Sequence, residues 1–148
     1  MQQVSMIKIG ANGEQLPEDA TSWDAVLLPA LGLMFTAGNV GDDEQDYEDT
    51  EAAVKALTVA GFSDWRIPER FELESILDLK RYSPAIDPVF FRDTRSDWYW
   101  TNTPCAWNDR PGPSGSVWVV DFGGGGVNYD DRNSTAFARA VRAVPAGQ

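Results

Sequence analysis

Carboxylates are the reactive groups this chain holds in quantity: 23 Asp and Glu stand against 12 Lys and Arg, histidine is missing, and Cys105 is the one thiol. Without histidine, neither a Ser–His–Asp nor a Cys–His nucleophile system can be assembled. A His-containing zinc site is equally out of reach, and one thiol cannot build a cysteine-only zinc cage. Paired-carboxylate chemistry remains, and Asp109, Asp121, Asp130 and Asp131 are its candidates in a glycosidase role. Such a pair must sit roughly 5–10 Å apart across a cleft, one member with a raised pKa. Nothing in the spacing of the four imposes this, and so acid-rich a chain makes incidental pairs unavoidable. No enzymatic activity is expected, and a carboxylate-based glycan hydrolase stands as an alternative.

Recognition is the other chemistry on offer. Tyr99, Asn102, Trp107, Asn108, Asp109, Asn128, Tyr129, Asp130, Asp131 and Asn133 crowd into the C-terminal third. Adaptable polar groups around one or two rigid aromatics are what a versatile binding face uses, and these residues are the predicted ligand contacts. Alternation along a strand puts Trp98 and Trp100 on one face; they and Trp118 are assigned to the core, Tyr99 and Trp107 to the surface. No cofactor is expected. Calcium is left open, but the acidic run Asp42–Asp49 lacks the order of a calcium loop and reads as a solvated helix start. Gly123–Gly126 has no following Lys-Ser/Thr and reads as a flexible hairpin tip that would let a ligand approach the backbone.

The charge balance, −11 overall, argues against nucleic acid, whose binders concentrate Lys and Arg. No apolar run reaches the ~18–20 residues of a membrane span, so insertion is not expected. The start, Met1-Gln2-Gln3-Val4-Ser5, lacks the basic and apolar regions of a secretory signal. With one cysteine, stability has to come from packing rather than disulfides.

Short strands and turns are predicted over residues 6–35: Met6–Ile9, an Asn12-Gly13 turn, Ala25–Leu28 and Leu31–Phe35. Ala53, Ala56, Leu57 and Ala60 recur at helical spacing, with Asp49 or Thr50 as cap and Gly61 as stop. A second helix is predicted over Arg70–Lys80, with Leu73, Ile76 and Leu77 inward and Glu72 and Glu74 outward. From Asp97 onward helix formers nearly vanish, and Trp98–Thr101, Val117–Phe122, Val127–Tyr129 and Phe137–Arg142 read as an antiparallel sheet. Arg139 and Arg142 point to opposite faces, and at least one should meet a carboxylate such as Asp64 or Asp121. Two helices plus a mainly antiparallel sheet with long loops make an α+β fold in one domain spanning 1–148.

Four ordered blocks carry a resemblance: Gly61–Pro68 with Glu72–Asp78, Ser83–Phe91, Trp98–Thr101 and Arg139–Arg142. Together they resemble the Lcl C-terminal domain family, found at the ends of collagen-like bacterial adhesins and in phage and prophage genes. The likeness runs over 32–144, after N-terminal strands in 1–31. It implies a C-type-lectin-like fold used in adhesins and tail tips, with a bacterial surface glycan or protein and other virion proteins as partners. It leaves oligomeric state open, the trimer being common among such proteins. The cysteines and the Glu-Pro-Asn or Gln-Pro-Asp tripeptide of calcium-dependent lectins are missing, while Trp107-Asn108-Asp109 matches the other calcium motif of those lectins without its partner. The chain also resembles variable proteins of diversity-generating retroelements, with Asn102, Asn108, Asp109, Asn128, Tyr129, Asp130, Asp131, Asn133 and Ser134 as varied sites and Trp107, Trp118, Phe122, Phe137 and Arg139 as scaffold. The implied role is receptor binding or adhesion by a virion- or cell-surface-associated protein made in the cytoplasm. A structural baseplate component without its own ligand is the alternative.

Overall fold

Leu, Val, Ile and Phe in unbroken short runs demand cover on both sides of a strand, and the arrangement of strands provides it. The computed structural model describes residues 5–145; Met1–Val4, read above for a secretory signal, lie outside them. Strands β1 (Ile7–Ile9), β2 (Gln15–Leu16), β3 (Ala25–Leu28), β4 (Leu33–Thr36) and β8 (Val141–Ala143) form an antiparallel sheet ordered β2-β1-β3-β4-β8. A second antiparallel sheet holds β5 (Trp98–Pro104), β6 (Ser116–Asp121) and β7 (Val127–Asp131). With helices α1 (Tyr47–Lys55) and α2 (Arg70–Glu74), this is an α+β fold.

Two apolar clusters divide the strand residues between them. Ala25, Leu27, Met34, Trp100, Val117 and Val119 enter one cluster, while their alternates Val26, Leu28, Phe35, Tyr99, Val120 and Phe122 enter the other. Strand alternation therefore separates two buried faces here, not core from solvent. The C-terminal segment stitches the sheets together. Phe137 bonds to Trp98 and Trp100 of β5, Ala138 and Ala140 accept from Val40 and Thr36, and Val141 exchanges both backbone bonds with Arg66 at 2.9 Å. The single C-terminal sheet expected from sequence is corrected accordingly: the last strand is short and joins the N-terminal sheet.

Both helices are shorter than their apolar spacing suggests. α1 starts earlier, because Asp46, not Asp49 or Thr50, accepts the Asp49 N–H at 2.8 Å and caps it. It stops before Ala60, which with Gly61 turns through positive φ (56° and 80°) beneath a Val59–Phe62 bridge. α2 ends at Glu74, and Asp78 N–H then bonds Ala85 O, committing the chain to the connector between α2 and β5 (residues 75–97). Glu72, predicted outward, is buried. Its carboxylate folds back onto the free Glu69 N–H at 2.8 Å and takes a bidentate pair from Arg66 at 2.7 and 2.8 Å. Burial works against its charge, yet the Arg66 and Glu69 hydrogen bonds hold its carboxyl below the usual range.

Candidate recognition face

The register of β6 on β7 pairs Trp118 with Tyr129, and directly opposed residues share a face. Trp107, from the loop between β5 and β6, stands edge-on to both rings, at 5.5 Å from Trp118 and 5.2 Å from Tyr129. Trp118 and Tyr129 lie 6.3 Å apart, also edge-to-face. Each such pair contributes about 0.5–1.5 kcal/mol beyond area burial, so the rings brace one another. The Arg70 guanidinium lies 4.3 Å over the Trp118 ring, and its backbone N–H is anchored on Thr103 Oγ1 at 2.9 Å.

The trio is the uncovered end of a core face. Further along the same side of the sheet, Tyr99, Val120 and Phe122 are sealed by Leu73, Ile76 and Ile86, from α2 and the connector. Past that cover Trp107 is 61% and Tyr129 49% exposed, and Trp118 is half-buried. Trp118 was assigned to the core. Its neighbours Val117 and Val119 do point into the core, which puts the ring on the opposite side, beyond the cover. Trp98, also assigned to the core, is half-buried, while Trp100 beside it is fully enclosed.

The loop bearing Trp107 is pinned by Asn108. The Asn108 amide donates to Ser114 O at 3.0 Å and Ser116 Oγ at 2.9 Å, and its carbonyl accepts from Arg110 Nε at 3.0 Å. Ser116 Oγ continues to Asp131 Oδ1 at 2.7 Å, placing a carboxylate at the border of the trio. Through these bonds Asn108 fixes the loop that carries Trp107. Among the described residues, no group of three His, Cys, Asp or Glu stands ready to hold a metal ion.

Other predicted contacts scatter. Tyr99, expected at the surface, is fully buried, because this sheet is covered on both sides. Its hydroxyl donates to Asn39 Oδ1 at 2.6 Å and accepts the Arg95 N–H at 2.9 Å, and burial raises its pKa. Asn128 and Asp130 pair with Val119 and Val117 and so lie on the reverse face from Tyr129. Asp130 accepts from Ser134 Oγ at 2.8 Å. Asn102 is half-buried on β5, beside Trp65 and Ile67 in a separate hollow under α1. Asp109 is exposed in the loop, and Asn133 lines a further hollow near the start of α1. The structure brings together Trp107, Tyr129 and Asp131 of the predicted set, and adds Trp118 and Arg70. The Val-Trp-Val alternation of β6 was the signal for Trp118; nothing in the sequence marked Arg70.

The glycine tip is also corrected. Gly123 O and Phe122 O accept from Ser83 and Ala85 N–H, each at 2.7 Å, so the hairpin is strapped to the connector. Gly125 has φ 91°, and a Cβ there would come within 2.7 Å of Leu79 Cδ2. Arg142 does meet Asp64, at 2.7 and 3.2 Å, and that pair holds the Asp64 carboxyl below its ordinary range. Fully buried Arg139 has no carboxylate within ion-pair distance among the described residues. It donates to Thr36 O, Ala37 O and Thr94 Oγ1, and burial pushes its pKa down to about 10. Asp121 instead accepts the Gly123 N–H.

With this geometry fixed, the comparison with known families is decisive. The sequence model described as the Lcl C-terminal domain matches residues 20–142. The chain belongs to the Lcl C-terminal domain family. No curated protein matches it. The Lcl C-terminal domain match starts upstream of the 32–144 stretch expected from the resemblance and takes in β3, the partner of β4. β1 and β2 precede it and extend the sheet from the free edge of β3. Trp107, Trp118, Tyr129 and Arg70 all fall inside the match. Among the described residues, no helix is long and apolar enough to cross a membrane.

Proposed function

We propose that this Lcl C-terminal domain is a non-catalytic recognition module that binds a bacterial surface ligand, glycan or protein, through the Trp107–Trp118–Tyr129 face. Family membership supports a surface-binding or adhesion-type role at the coarser level. The observation that carries the finer reading is the exposed trio itself: three mutually braced rings past the end of the core cover, on a pinned loop. Rigid aromatics on a fixed support lose little entropy on binding, and exposed apolar surface of this kind marks interaction sites. Arg70 and Asp131 add a donor and an acceptor at the rim. A phage or prophage tail protein is the setting we favour, from the resemblance and the disulfide-free packing.

The experiment is retention of the purified, tagged protein on intact bacterial cells, with chelator, protease and periodate arms. Binding unchanged by chelator and abolished by either protease or periodate fits the proposal and names the ligand class. No retention on any plausible host contradicts it and favours a structural virion component.

A further inference from the structure

A strand at the rim of a sheet presents a row of unused N–H and C=O groups to which another strand can add. In this chain most rims are short or taken. β2 has two residues, Val141 of β8 exchanges both bonds with Arg66, and β5 is bonded through Trp98 and Trp100 to Phe137. β7 has five residues and pairs with β6 alone, so its outer side is the long open edge among the described residues. It also carries Tyr129 of the aromatic trio.

Val127, Tyr129 and Asp131 turn their backbone groups outward. Asp121 N–H bonds Gly126 O and Arg132 N–H bonds Gly115 O. Bonded positions alternate in an antiparallel ladder, so between those ends Asn128 and Asp130 are the residues that bond β6. Yet two of the outward N–H groups are already used. Tyr129 N–H donates to Asn128 Oδ1 and Asp131 N–H to Asp130 Oδ1, each at 2.9 Å, and Ser134 Oγ holds that Asp130 oxygen at 2.8 Å. Asp131 O accepts the Ser134 N–H at 3.0 Å. On the far rim of the same sheet Trp98 N–H is taken in the same way, by Asp97 Oδ1 at 2.8 Å. A strand laid against β7 would leave its own carbonyls unpaired opposite Tyr129 and Asp131, or would first have to break both side-chain bonds. Either costs more than a ladder bond returns.

We infer that Asn128 and Asp130 guard this edge: their side chains close β7 to strand pairing and keep two copies of the chain from joining edge to edge beside the aromatic trio. The occupant they exclude is a second copy, because β7 laid antiparallel on its own equivalent is self-complementary about a two-fold axis. Without the two caps, the three-stranded sheets of two copies become one continuous sheet.

Sedimentation equilibrium of the full chain over a wide concentration range tests this, read beside backbone amide hydrogen exchange. Asn128→Ala with Asp130→Ala should associate beyond the wild-type mass about tenfold more tightly, the worth of roughly one regained hydrogen bond. In dilute solution the Tyr129 and Asp131 amides of this variant should exchange faster than in wild type, and they should become protected as it associates. Dilute protein stays unpaired, so cell retention by the variant is unaltered. Asn128→Ala alone should speed exchange at Tyr129 and not at Asp131. Asn128→Asp with Asp130→Asn keeps an oxygen in each cap and the same net charge, and should match wild type. Wild type should keep its mass in about 0.5 M salt, where charge repulsion along the edge is screened. Wild-type mass for the double alanine variant at every concentration would overturn the inference. So would equal association by the oxygen-retaining variant, salt-induced association of wild type, or association that leaves the Tyr129 and Asp131 amides unprotected.

Discussion

Replacing Asn108 by Ala separates a residue that positions the face from one that touches ligand. The substitution removes hydrogen bonds to Ser114 O, Ser116 Oγ and Arg110 Nε, of which the one to Ser116 is partly buried. At ~0.5–1.5 kcal/mol net for each bond, and with the exposed pair at the low end, the expected loss is about 2 kcal/mol. For a chain of this size, that lowers Tm by ~4–8 °C. The loop then no longer holds Trp107 edge-on to Trp118 and Tyr129, so the near-ultraviolet circular dichroism of the coupled rings should diminish. Urea denaturation measures the stability, and the near-ultraviolet spectrum at low urea measures the packing of the trio. A variant as stable as wild type with an unaltered aromatic spectrum would refute the reasoning, because Asn108 would then pin nothing.

Other expectations follow from the buried polar groups. Glu72→Gln should destabilise by about 1–3 kcal/mol, because the bidentate bond from Arg66 loses its charge assistance. The folded-state carboxyls of Glu72 and Asp64 lie below their unfolded values, so both pairs stabilise fully above the ordinary carboxyl pKa of ~4. That contribution is lost as pH falls through the depressed values; denaturation midpoints from pH 6 to pH 2 should drop steeply for wild type and less for the Glu72→Gln, Asp64→Asn double variant. Tyr99→Phe removes the partner of the Arg95 N–H and leaves Asn39 Oδ1 only the longer 3.4 Å bond from Arg139, and should cost about 1–2 kcal/mol in chemical denaturation. Cell binding by the folded variant should not change, since Tyr99 is enclosed.

Much of the architecture was legible because it is written in local chemistry. The Asn12-Gly13 turn, the acidic start of α1, the Leu73–Leu77 spacing of α2 and the Val-Trp-Val run of β6 each specify their element through nearby residues. That one of Arg139 and Arg142 meets a carboxylate such as Asp64 was legible from residue types; which arginine does so was not. What was not legible depends on distant segments. Tyr99 looks like a surface residue until the opposite face of its sheet is known to be covered by α2 and the connector. Phe137–Ala140 has a strand's composition but crosses between two sheets, an arrangement set by Trp98, Val40 and Thr36 far away in sequence. The predicted polar strip from Asn128 to Asn133 divides because successive strand residues face opposite ways, and only the β6 register reveals which half joins Trp107.

The central claim is that recognition occurs on the Trp107–Trp118–Tyr129 side of the second sheet. Cell retention of a Trp107→Ala, Tyr129→Ala variant, measured beside an Asn128→Ala, Asp130→Ala variant of the reverse face, tests it most directly. The account predicts that the first variant falls to background, each lost aromatic anchor costing ~2 kcal/mol or more, while the second binds within about twofold of wild type. Full retention by the first variant, with loss confined to the second, would contradict it.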